Sequence, residues 1–200
     1  DVYKRQSLNC ETDFVAKNDD YVQLAQRLSD HALGFTDKES FLDSDFEGMK
    51  VSEKLLEQTG IIGEKIEIGS FEHISASFVG SYIHAGNKIA SIVGFSENFD
   101  NASDVGKDLS MQIAAMNPVA IDENGVSQEI IAKEIEIAKD QLRREGKPEE
   151  MLDNIAKGKL KKFFKENTLI NQQFIKDSKI SISQYIKGFS ESVEVTDFSR

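Results

Sequence analysis

The chain has 200 residues, 39% hydrophobic and 30% charged, with a formal net charge of −11 and a pI near 4.8. That composition gives material for a modest core in one domain or two small ones, and it does not suit a disordered chain. The acidity argues against a phosphate-backbone binder, whose affinity rests on Lys and Arg neutralising phosphates, so the expected partner is protein and not nucleic acid.

The single Cys10 rules out an internal disulfide framework or a cysteine zinc cluster and reads as a small buried hydrophobe. No apolar run approaches the roughly 18 residues of a membrane span, and no signal-peptide pattern opens the chain.

Residues 1–6 fit no readable element and are read as a boundary segment or foreign leader. The segment Asn9-Cys10-Glu11-Thr12-Asp13-Phe14-Val15-Ala16-Lys17-Asn18-Asp19-Asp20 then sets an acid and a large aromatic side by side where a helix begins. Tyr21, Leu24, Ala25, Leu28 and Ala32 recur at helical spacing, which predicts a helix from about residue 15 or 19 to 31. Thr12, Asp13 and Asn18 are its candidate N-caps. Residues 36–50 read as an acidic loop with one short turn, and residues 51–58 as a helix broken by Gly60 and Gly63. Ile66, Ile68 and Ser70 alternate with Lys65, Glu67 and Gly69, which is strand periodicity over 64–71.

Two further strands, 77–83 and 88–95, flank His84-Ala85-Gly86-Asn87, whose Gly and Asn suit a hairpin turn. Val105, Leu109, Ile113 and Met116 mark one face of a helix over 103–116 that covers this hairpin, stopped by Asn117-Pro118. Ile131, Ile135, Ala138 and Leu142 form a narrow coiled-coil seam, with Ile130 and Ile137 beside it as a second apolar strip for a partner. After the break at Gly146-Lys147-Pro148, Leu152, Ala156, Leu160 and Phe163 supply the matching stripe. This predicts a protruding antiparallel helical hairpin. Phe174, Ile180, Ile182, Tyr185 and Ile186 return the chain through a short helix to a last strand at 193–198.

The inventory for catalysis is poor. His31, His73 and His84 lie in different elements, no Gly-rich phosphate loop follows a strand, and no cofactor is expected. Asp13, Asp19 and Asp20 lack the alternating ligands and turn glycine of a calcium loop, and Asp19-Asp20 read as helix-start charges favoured by the dipole. From the residues alone, Asp13 reads first as a helix cap with Phe14 packed beneath it, and His84 as a solvated turn histidine. Met111, Ile113 and Met116 read first as core residues, Tyr82 as core or a weaker contact, and the helical hairpin as a partner contact with a solvated structural arm as the alternative.

Taken with Ser81-Tyr82-Ile83-His84-Ala85-Gly86 and Met111-Gln112-Ile113-Ala114-Ala115-Met116-Asn117-Pro118, the segment from Asn9 resembles the bacterial elongation factor Ts family, in the same order along the chain. The resemblance implies an α+β fold of two small antiparallel sheet-plus-helix subdomains with an inserted antiparallel coiled-coil hairpin. The expected division is 1–75, then 76–125 with 165–200, and the insert at 126–164. It implies a non-enzymatic function, guanine nucleotide exchange on elongation factor Tu in a bacterial or organellar interior. Thr12, Asp13, Phe14 and Val15 would form the wedge that disturbs the magnesium site of the GTPase, and His84 with Gly86 the turn that reaches an apolar pocket near its phosphate loop. The arm would contact a second protomer or the GTPase. Family members also carry an N-terminal helical domain and strands ahead of the position of Asn9, so the chain is expected to be N-terminally truncated, with an incomplete first sheet and an open edge. An adaptor working through its arm alone, without exchange, is the rival reading.

Overall fold

The computed structural model describes residues 2–200, with side chains from Tyr3 onward. It opens on strand β1 (Val2–Asn9), which corrects the reading that residues 2–6 belong to no element; Asp1 lies outside the described residues. The cue for β1 is non-local. Its residues do not alternate in polarity, and the strand is defined by antiparallel pairing with a segment about 58 to 73 residues away, Tyr3 opposite Ile74 and Leu8 opposite Ile68.

A four-residue helix α1 (Asp13–Ala16) and the longer α2 (Asp19–Ala32) follow, capped by Thr12 and Asn18 respectively, so Asp13 is the first helical residue and not a cap. Tyr21, Leu24, Leu28 and Ala32 turn inward, as their spacing predicts. Residues 36–50 hold more structure than a loop. Asp37 caps α3 (Lys38–Asp43), and β2 (Asp45–Phe46) pairs with β3 (Met49–Lys50) around Glu47 and Gly48. Phe41 and Phe46 make this order possible: two buried aromatics in an otherwise acidic stretch anchor it to the core. Helix α4 (Val51–Ile62) continues through Gly60 and ends only at Gly63, in the left-handed conformation.

β4 (Glu67–Ser75) completes the first, two-stranded sheet, and two residues later β5 (Phe78–Ile83) begins a second. β5 pairs with β6 (Ala90–Phe95) as the predicted hairpin, and α5 (Ala102–Met116) packs over both. α6 (Gln128–Arg144) and α7 (Glu149–Asn167) pack against one another as the helical hairpin. Ala138, Leu142, Leu152 and Ala156 are buried along their seam, and Lys139–Asp153 and Arg143–Glu149 ion pairs set an antiparallel register. The chain returns through the small hairpin β7 (Gln173–Phe174) and β8 (Asp177–Ser181), then α8 (Ile182–Lys187), to β9 (Val195–Ser199), which pairs with β6 as the third strand of the second sheet.

Two main apolar clusters result. Leu24, Leu28, Phe41, Val51 and Ile68 belong to the first, and Phe95, Leu109, Ile113, Leu169 and Ile182 to the second. A smaller cluster of Ile74, Val79 and Ile92 lies between the sheets, drawn from β4, β5 and β6. The seat of α5 on the second sheet depends on two glycines: a Cβ on Gly80 would stand 2.5 Å from the backbone of Gly106. Gly80→Ala is expected to destabilise the chain by about 1–3 kcal/mol through overpacking, read as a lower urea midpoint with an unchanged slope; an unchanged midpoint would contradict this seat.

Candidate functional site

The segment that carries Phe14 is too short to hold itself. An isolated helix needs about 12–15 residues for even marginal stability, and α1 has four, none fully buried. Its entry is fixed instead by Glu64, just after α4. The Glu64 carboxylate accepts from the backbone N–H of Glu11 at 3.0 Å, from that of Thr12 at 2.9 Å and from the Thr12 hydroxyl. Glu11 returns the interaction by accepting from Lys65 N–H at 3.2 Å. The hydrogen bonds from Thr12 hold the Glu64 carboxyl below its ordinary pKa. Upstream, the Tyr21 hydroxyl donates to Leu8 O at 2.6 Å, and its burial pushes the phenol pKa up. Cys10 is half-buried and not fully so; its thiol donates to Thr12 O at 3.3 Å.

Within this frame neighbouring side chains diverge. Val15 is half-buried against the first cluster. Phe14 is 90% exposed, which removes the reading in which it packs beneath the helix. Asp13 accepts a hydrogen bond from Lys88 Nζ at 2.8 Å, and the ammonium holds the Asp13 carboxyl below the usual carboxylate range. Among the described residues no group of three or more His, Cys, Asp and Glu is placed to hold a metal.

Lys88 belongs to the turn between β5 and β6, so the ion pair brings the two expected contact elements together. That turn is closed by His84 N–H donating to Ile89 O at 2.8 Å and Asn87 N–H donating to His84 O at 3.0 Å. Gly86 (φ 87°) and Asn87 (φ 57°) are both left-handed, a conformation that Gly and Asn adopt readily. The His84 ring is exposed and shares a hydrogen bond of 2.9 Å between Nδ1 and the Tyr82 hydroxyl, so half-buried Tyr82 orients it. Ile83 beside it is 65% exposed. Of the α5 residues, Ile113 is core, Met111 half-buried, and Met116 exposed at the helix end.

Sequence reasoning missed Lys88 and Glu64 as site residues. Each acts across a long separation, 75 residues to Asp13 and 52 to Thr12, and no local pattern signals it.

Among the described residues the arrangement is one of exposed apolar side chains held out on hydrogen-bonded backbone, with no acid, base and nucleophile converging on one point. The family model described as Elongation factor TS matches residues 11–200. Proteins named Elongation factor Ts from Christiangramia forsetii and Flavobacterium psychrophilum are 59% and 55% identical over 194 residues, covering 97% of this chain and 71% of each relative. The namesake from Porphyromonas gingivalis is 42% identical over 197 residues, with the same coverage. The chain belongs to the elongation factor Ts family.

Folding lowers the Asp13 and Glu64 pKa values, so each carboxylate adds stability that is fully present above its unfolded value, about pH 4, and is lost as pH falls through the folded value. Thr12→Val removes the hydroxyl donor and is expected to return the Glu64 midpoint toward the ordinary range in a carboxyl-carbon NMR titration. An unmoved midpoint would contradict the clamp.

Proposed function

We propose that Thr12–Val15 and the His84–Gly86 turn form one contact surface through which this chain exchanges guanine nucleotide on elongation factor Tu. The observation that carries the reading is Phe14, 90% exposed on a clamped backbone whose neighbour Asp13 is tied to the His84 turn. As an exchange factor the chain makes and breaks no covalent bond. It binds the nucleotide-free or distorted GTPase more tightly than the nucleotide-bound one, and by linkage factor and nucleotide weaken one another equally.

Magnitudes require two contacts. Weakening nucleotide by about a thousandfold needs roughly 4 kcal/mol of coupling, at about 1.4 kcal/mol per decade. Burying one Phe side chain supplies only about 1.5–3 kcal/mol. Phe14 is the larger wedge and His84 the second contact. A wedge of this kind acts without touching the metal: magnesium bridges phosphate oxygens and protein ligands, so moving a switch segment that carries those ligands weakens the nucleotide. Asp13 and Thr12 keep the wedge in place, Val15 roots it in the core, and Gly86 permits the turn.

The expected division into 1–75, then 76–125 with 165–200, and an arm at 126–164 fits this reading, with the wedge on the first part and the turn on the second. No described helix is long and apolar enough to cross a membrane, and a partner in translation supports the reading that the chain works in the cytoplasm. For the arm we infer self-association through a face that includes exposed Ile137 and Met151; sedimentation showing only monomer at high concentration would contradict it.

Phe14→Ala is expected to weaken the nucleotide-free complex by about ten- to a hundredfold, from about 1.5–3 kcal/mol of lost burial, and to slow release of a fluorescent GDP analogue. His84→Ala also slows release, and the double variant is slower than either. A fully active double variant would sink the assignment.

A further inference from the structure

We propose that Lys88 is a positioning residue for exchange: by donating to Asp13 it ties the Phe14 wedge to the His84 turn, so that two weak contacts meet the GTPase as one preformed surface. The inference rests on the two-contact reading above and assigns the tie within it to one residue, Lys88.

The wedge and the turn belong to different parts of the fold. α1 is held on its Glu64 side by hydrogen bonds and through Val15 to the first apolar cluster. The turn extends from the second sheet, beyond the last β5–β6 pair at Ile83 and Ala90. Both tips are exposed, with Phe14 90% and Ile83 65% accessible, so the inter-sheet cluster of Ile74, Val79 and Ile92 sets the base of the hairpin while little packing holds its tip against α1. The Lys88 Nζ to Asp13 Oδ1 contact of 2.8 Å spans 75 residues of sequence and joins the two elements directly. Lys88 comes four residues after His84 in the same closed turn, so fixing its ammonium restricts the turn that presents the histidine.

Such an exposed pair, with both side chains about two-thirds accessible, adds little to folding stability. Its effect falls instead on association. Two contacts on one rigid frame bind with the ordering cost already met, whereas two that move independently must each be ordered at docking. Removing the tie therefore raises the amount of factor needed without changing what the bound complex does.

The test is stopped-flow release of a fluorescent GDP analogue from elongation factor Tu, at increasing concentrations of the whole chain. Lys88→Met is expected to raise the half-maximal concentration by up to about fivefold while leaving the maximal rate and the thermal melt unchanged. In an Asp13→Asn background Lys88→Met adds less than about twofold, because the residue acts through that carboxylate. Lys88→Arg, which keeps a cation within reach of Asp13, restores the wild-type concentration dependence.

An equal Lys88→Met effect in both backgrounds would mean that Lys88 touches the GTPase itself and would overturn the positioning role. So would a Lys88→Met protein with wild-type kinetics while Phe14→Ala is slow. If Phe14→Ala is also wild type, the contact reading beneath the inference fails instead, and the two failures are thus told apart.

Discussion

The Glu64 carboxylate, accepting three hydrogen bonds from Glu11 and Thr12, is the interaction on which the candidate surface depends. A four-residue helix has no stability of its own, and a large aromatic held in water gains nothing from the fold around it. The position of Phe14 is therefore set from outside its own helix, by polar bonds at Thr12 and by Val15 turned into the core. An apolar side chain held out in this way keeps its burial free energy for a partner, which supports the proposal that the segment is a contact.

A second constraint places the turn. β4 runs into β5 with only residues 76 and 77 between them, and Ile74, Val79 and Ile92 close the gap between the two sheets. The Gly80–Gly106 approach then seats α5 flat on the second sheet. These contacts hold the β5–β6 hairpin where Lys88 reaches Asp13, and one apolar wedge becomes a surface with two points of attachment. On the proposed reading neither point alone supplies the free energy that nucleotide displacement needs, and the relative placement of the sheets is then part of the mechanism.

Local pattern in the sequence carried much of this. The stripe Tyr21, Leu24, Leu28, Ala32 and the seam Ala138, Leu142 against Leu152, Ala156 are periodic, and periodicity is what sets an amphipathic helix. The hairpin around Gly86 and Asn87 was legible because left-handed backbone selects those residues. What escaped is non-local. β1 has no alternation and exists through its pairing with β4; α3 and the β2–β3 pair depend on Phe41 and Phe46 reaching a distant core. The same holds at the site, where Thr12, Asp13, Phe14 and His84 were visible as residue types. Their anchors Glu64 and Lys88 were not, because an ordinary exposed Glu or Lys gives no sign of the carboxylate or amide it will meet after folding.

The most direct test of the account is to follow release of a fluorescent GDP analogue from elongation factor Tu as the unmodified chain is titrated in. The expected result is acceleration that rises with factor concentration and saturates once all the GTPase is engaged. A folded chain that binds nucleotide-free elongation factor Tu yet leaves the release rate of bound GDP unchanged at every concentration would contradict it.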